Sequence, residues 1–218
     1  MVIKVCGMRE AENIRDVEKL GIDLMGFIFW PKSSRYVSQP PAYLPTRCKR
    51  VGVFVDASTD EIIQKIHDFS LDIIQLHGYE SPEQIRLLRE RAATPRPFNG
   101  RGAVRRGGVS IIKAFNIATS DDFAQTAAYD GLVDYFLFDT KGPSVGGNGE
   151  KFDWDVLRAY DGPTPFLLSG GIGHDDAEST KSFHHPKCVG IDLNSRFELS
   201  PALKDVNKLK KFIKQVRL

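Results

Sequence analysis

No uninterrupted hydrophobic run in this chain of 218 residues approaches the roughly 20 that a membrane-crossing helix needs. An excess of one charge is missing too. Thirty lysines and arginines face 28 aspartates and glutamates, and the net +2 sets up no field that would draw the protein onto nucleic acid or an anionic membrane surface. Cysteine is scarce: Cys6, Cys48 and Cys188 are odd in number and far apart, which speaks against a disulfide framework and against metal-ligand spacing. The amino terminus enters a strand pattern directly, with no charged segment and apolar signal core ahead of it. A reducing cytoplasm is the expected location.

What is present is the composition of an ordinary globular protein, 41% hydrophobic and 27% charged, long enough for one α/β barrel or one doubly wound domain. The organising stretch is IKVCGMRE, Ile3 to Glu10. Ile3 and Val5 alternate with Lys4 and Cys6, as in a strand with an apolar face and a polar one. Gly7 breaks the pattern, and Ile14, Val17 and Leu20 then recur at helical spacing. Cys6 therefore sits at the carboxyl end of a strand that hands over to a helix, where α/β folds place their chemistry.

Further strands are expected at Asp23–Phe29, Arg50–Val55, Asp72–Leu76, Ser110–Phe115, Tyr135–Phe138, Phe166–Leu168 and Cys188–Leu193, and an amphipathic helix at Pro201–Val216. Counted with their helices these make eight pairs, at a spacing that suits βα units with short loops. The expectation is a single (β/α)₈ TIM barrel over residues 1–218. A surface insertion at about 93–108 lengthens the fourth unit, and its Arg96, Arg101, Arg105 and Arg106 read as a solvated loop. An open doubly wound sheet would carry the same pattern, so closure rests on the count of eight.

Polar residues at strand positions flanked by apolar ones, namely Lys4, Cys6, Gln75, His77, Lys113, Asp139 and Asp192, are expected to point into the barrel mouth. A thiol at a strand end is most often a small buried hydrophobe, but Lys4 or a helix start could depress its pKa and make it a base. Asp139 ends the apolar FLFD, where a partly desolvated carboxyl could keep its proton and act as an acid. Gly170 and Gly171 after the seventh strand, with Asn194, Ser195 and Arg196 after the eighth, form a candidate phosphate seat. Arg35 could pair in a two-pronged way with a carboxylate. The four glycines of Gly142–Gly149 suit a loop that closes over a ligand.

KVCGM, GFIFWPKSSRYVS, VGVFVD, IIQLHGYES, FLFDTKGPSVGGNGEKFDW, LLSGGI and GIDLNSRFELSPALKD occur in the order seen in the phosphoribosylanthranilate isomerases of tryptophan biosynthesis, and in this the whole chain resembles that family. The resemblance implies a TIM barrel that carries out an Amadori rearrangement on a phosphosugar-anthranilate substrate without metal or organic cofactor. It implies Asp139 as general acid, Cys6 as general base, Arg35 on the anthranilate carboxylate and the loops after strands seven and eight on the phosphate; Gln75, His77 and Asp192, from their inward strand positions, are expected to line the substrate site. Arg9 and Arg196 stand where members usually have threonine and glycine. Two other readings are a histidine-pathway aminoaldose isomerase, for which Cys6 occupies the place of an aspartate, and a non-catalytic phosphosugar-binding protein. Monomer and homodimer both stay open.

Overall fold

The structure, a computed structural model, describes residues 1–92, 108–140 and 154–218. The arginine-rich part of the expected insertion and the glycine loop Gly142–Gly149 lie outside the described residues. The first strand, β1 (Val2–Val5), leads into helix α1 (Ala11–Glu18); β2 (Leu24–Ile28) and β3 (Lys49–Phe54) follow, then α2 (Thr59–Phe69), β4 (Ile73–Leu76) and α3 (Pro82–Ala92). The second half holds β5 (Ser110–Ile117), β6 (Tyr135–Thr140), β7 (Phe166–Ser169), α4 (Ala177–Ser182) and β8 (Cys188–Leu193), and ends on a short ribbon, β9 (Glu198–Ser200) with β10 (Leu203–Lys204), and α5 (Val206–Arg217).

Strands β1 to β8 pair in parallel in chain order, and β8 pairs back onto β1, with Lys4 beside Asp192 and Val5 beside Leu193. The sheet is thus the expected closed eight-stranded barrel. Alternation divides its side chains into two cores. Outward-facing Ile3, Val5, Met25, Phe27, Ile74, Phe136, Phe138 and Ile191 meet the helices. Leu24, Val51, Ile73, Ile112, Ala114, Leu137 and Leu167 fill the interior as a separate apolar plug. The upper interior is polar, since buried Lys4, Gln75 and Asp192 take the same inward positions one step further along their strands.

Local chemistry explains where the outer helices begin. Ser58 and Glu61 form a reciprocal capping box at the start of α2, and the Ser81 hydroxyl accepts from the Gln84 amide at the start of α3. Three expectations need correction. No helix separates β2 from β3 among the described residues; Pro31, Pro40, Pro41 and Pro45 forbid one, and Glu18 pins the link by accepting from the Tyr43 hydroxyl and the Thr46 amide. The last helix starts at Val206 rather than Pro201, because Ala202 adopts φ +69° in the ribbon turn and the Asp205 carboxylate caps the Lys208 amide. In place of full helices, 3₁₀ segments follow β5 (Ser120–Tyr129) and occupy the end of the β6–β7 link (Trp154–Ala159).

A fourth correction concerns Lys113. Its neighbours Ile112 and Ala114 belong to the interior plug while Ile111 and Phe115 face the helices, so Lys113 points out of the barrel. There it donates to the Gly78 carbonyl at 2.7 Å and pairs with the fully buried Glu80 carboxylate at 3.2 Å. The expectation failed because Lys113 shares the outward parity of two apolar neighbours, and a paired cation is tolerated in that layer.

Candidate active site

At the carboxyl ends of the strands, Cys6 leaves β1 and Asp139 lies near the end of β6, both on inward positions. Cys6 is buried, at 3% exposure. Gly26 on the neighbouring strand makes room for it: a methyl group there would lie 2.7 Å from the sulfur. Gly7, at φ +76°, turns the chain away and lets the Arg35 side chain pass, since a Cβ would stand 2.6 Å from Arg35 Cδ. The Gly170–Gly171 turn after β7 also uses positive φ, +94° and +67°. These glycines answer to backbone shape and close approach, which a sequence pattern alone registers only as a turn.

The electrostatics around the thiol are those of a cation cluster in a buried place. Lys4, fully buried, reaches Asp192 at 2.9 Å and acts electrostatically on Cys6. Burial would lower the Lys4 pKa, but Asp192 and Cys6 together raise it, so the amine stays charged. Burial is also the largest influence on Cys6 and pushes its pKa up, against the pull of Lys4 and Lys204. This corrects the expected depression: one desolvated sulfur weighs more than its cations, and the resting group is a thiol. Cys48 is pushed up to about 12, burial first, with Arg50 opposing, and Cys188 is raised by burial.

On the opposite wall, His77 Nε2 lies 3.8 Å from Asp139 Oδ2, and its Nδ1 lies 3.5 Å from Gln75 Nε2. Gln75 is buried beneath His77, which lines the mouth. Burial first, then Lys4, hold the His77 pKa down to about 4, so the ring is neutral at neutral pH. Asp192 takes Lys4 on one oxygen and the Ser169 hydroxyl on the other at 3.4 Å. Lys4 and Asp192 act electrostatically on both Cys6 and His77, which places thiol, imidazole and carboxyl around one mouth.

The residues expected to hold a phosphate lie after two consecutive strands. Gly170 and Gly171 follow β7, Asn194 and Ser195 follow β8, and the Arg196 stem packs near Gly173, with Cβ 3.8 Å from where a Cβ on that glycine would stand. The Gly173 amide is already engaged by Asp176 at 2.7 Å. Arg35 is also engaged: its Nε donates to Glu198 at 2.8 Å and its Nη2 forms the second prong. Glu198 further accepts from Lys204 at 2.7 Å, and Lys204 donates to Asn194 Oδ1 at 2.8 Å. Glu198 and Lys204 were missed from the pattern, because both fall in a stretch that reads as the approach to the last helix. The signal was a charged pair, Glu198 and Lys204, flanking Leu199 to Leu203. Among the described residues no cluster of three or more His, Cys, Asp or Glu could hold a metal ion, and no helix is long and apolar enough to cross a membrane.

Comparison with known proteins agrees with this geometry. The family model for N-(5'-phosphoribosyl)anthranilate isomerase matches residues 3–99 and 101–215. The isomerase of Parabacteroides distasonis is 48% identical over 222 residues, covering 99% of this chain and 93% of the relative. The crystal structure of the Thermotoga maritima isomerase superposes with a TM-score of 0.82 at 31% identity, covering 100% of this chain and 99% of the other. A second isomerase structure, holding reduced 1-(o-carboxyphenylamino)-1-deoxyribulose 5-phosphate, superposes with a TM-score of 0.79 at 29% identity, over 100% of this chain and 99% of that one. This enzyme, with its thiol and carboxyl on opposite walls of one barrel mouth, belongs to the N-(5'-phosphoribosyl)anthranilate isomerase family.

Proposed function

We propose that the chain converts N-(5'-phosphoribosyl)anthranilate to 1-(2-carboxyphenylamino)-1-deoxyribulose 5-phosphate with Asp139 as general acid and Cys6 as general base. Asp139 protonates the furanose oxygen as the bond from that oxygen to C1 breaks and the anilino nitrogen forms a Schiff base. Cys6, acting from its thiolate form after giving its own proton to solvent, then removes the proton from C2, giving an enolamine that tautomerises to the ketose. Each step suits its residue, since ring opening needs a donor and carbon deprotonation a base. Lys4 stabilises the thiolate that the second step requires. Gly170, Gly171, Asn194 and Ser195 hold the phosphate, and the Arg196 side chain adds a cation beside it. Arg35 receives the anthranilate carboxylate on the guanidinium edges that Glu198 leaves open. Asp192, held by Lys4 and Ser169, and His77 over Gln75 complete the lining.

The observation that carries this reading is that Cys6 follows β1 and Asp139 lies near the end of β6, both on inward positions at the carboxyl end of one closed barrel, with the glycine turn after β7 and Asn194–Arg196 after β8 at the same end. The test follows the loss of fluorescence of enzymatically generated substrate. Cys6→Ser and Asp139→Asn should each lower kcat/KM by about 10²- to 10⁴-fold while leaving the melting transition in place. Undiminished turnover in either variant removes that role. Of assembly, the supporting comparison is a structure of monomers generated from the dimeric T. maritima isomerase, 27% identical with a TM-score of 0.76. Sedimentation at micromolar concentration tests whether this chain pairs likewise.

A further inference from the structure

Gln75 and His77 share the inner face of the β4 strand end, and their geometry goes beyond lining the site. The Gln75 amide nitrogen meets the ring at Nδ1, 3.5 Å away, and the other ring nitrogen, Nε2, lies 3.8 Å from Asp139 Oδ2. Resting on the assignment of Asp139 as the acid, we propose that His77 is a positioning residue for it: the Nε2–H, held in direction by Gln75, donates to the carboxylate that forms as Asp139 gives up its proton. No proton leaves His77. The Asp139 proton moves to the ring oxygen, which keeps the electron pair of the broken bond to C1, and the nitrogen lone pair closes the Schiff base. His77 adds a donor to the carboxylate left behind at that moment. Hydrogen bonds that are long in a substrate-free site tighten as charge develops, and closing 3.8 Å takes less than an ångström of movement.

The charged groups around the ring fit a donor that stays neutral. Lys4 approaches from β1 and Lys113 from β5, both disfavouring an imidazolium, and burial outweighs the opposing Asp192 and Glu80. The second observation is Gln75 Oε1, which is buried and has no hydrogen-bond partner among the described residues. An orphaned acceptor costs stability. A leucine would remove that cost together with the tie to His77, so stability and turnover should part company at this position.

The experiment measures kcat and KM for the parent, Asp139→Asn, His77→Leu, His77→Gln and Gln75→Leu, with substrate carrying hydrogen or deuterium at C2, alongside melting temperatures. His77→Leu should lower kcat about 10- to 100-fold with KM little changed, as for loss of one donor to developing charge. Its C2 isotope effect should fall toward unity, because ring opening and not carbon deprotonation then limits the rate. His77→Gln, whose amide can place an N–H near the lost Nε2, should recover much of the rate. Gln75→Leu should lose several-fold in kcat while melting no lower than the parent. A His77→Leu variant with parental kcat, an unchanged C2 isotope effect, or no rescue by glutamine overturns the role of His77. An active Asp139→Asn overturns instead the acid assignment on which it rests.

Discussion

Gly26 stands against the Cys6 thiol with no space for one further carbon. In Gly26→Ala the new methyl would lie 2.7 Å from the sulfur and 3.1 Å from the Cys6 Cα, so the thiol must shift. We expect a loss of about 1–3 kcal/mol in stability and, since a misplaced reacting group can cost about 100-fold, a fall in kcat well beyond any change in KM; steady-state kinetics with a melting curve checks both. His77 makes a prediction about pH. Its pKa is about 4 in the folded protein against 6.5 as the ordinary value, so between these limits the unfolded chain binds the extra proton. Its contribution to stability is complete above pH 6.5, is lost as pH falls toward 4, and changes no further below that. The slope approaches about 1.4 kcal/mol per pH unit, reduced because the side chain is 30% exposed. Chemical denaturation at stepped pH should show this slope, and His77→Gln should flatten it.

The last helix illustrates how a boundary depends on one carboxylate. Asp205 accepts from the Lys208 amide at 3.0 Å, and buried Leu209, Phe212, Ile213 and Val216 on α5 pack against the barrel. Asp205→Ala should cost about 1 kcal/mol, or a few degrees of melting temperature for a chain of this size, with turnover per folded molecule unchanged. The heptad-like spacing of those apolar residues was legible from sequence, and so were all eight strands, because buried parallel strands read as short apolar runs. The start of α5 was not. Pro201 and the residues after it fit a first helical turn equally well, and only the pairing of Leu203 with Ser200 decides for a ribbon. Likewise the absence of a helix between β2 and β3 reflects four prolines and the grip of Glu18, a contact over more than two dozen residues that no local pattern carries.

The barrel as a whole separates a layer that holds it together from a mouth that does chemistry, and Lys113 tests that division. Lys113→Met would strand the Glu80 carboxylate, fully buried, without its cation. We expect a loss of about 3–5 kcal/mol, read by denaturant titration, with the remaining folded protein still turning over, since Lys113 faces the helices. Its inward placement from sequence failed for the reason Cys6 and Asp139 succeeded: parity ranks positions only relative to neighbours, and here the neighbours of Lys113 on both sides line the interior. The candidate site was otherwise legible where polar residues interrupt apolar strands, and hidden where it depends on partners distant in sequence. Arg35 and Glu198 are such partners, 163 residues apart. In the proposed arrangement this clasp stays closed whether or not an aromatic acid is seated beside it. A departing product therefore exposes no bare guanidinium that would have to be rehydrated, and the exit step is spared a barrier that an unescorted arginine would impose.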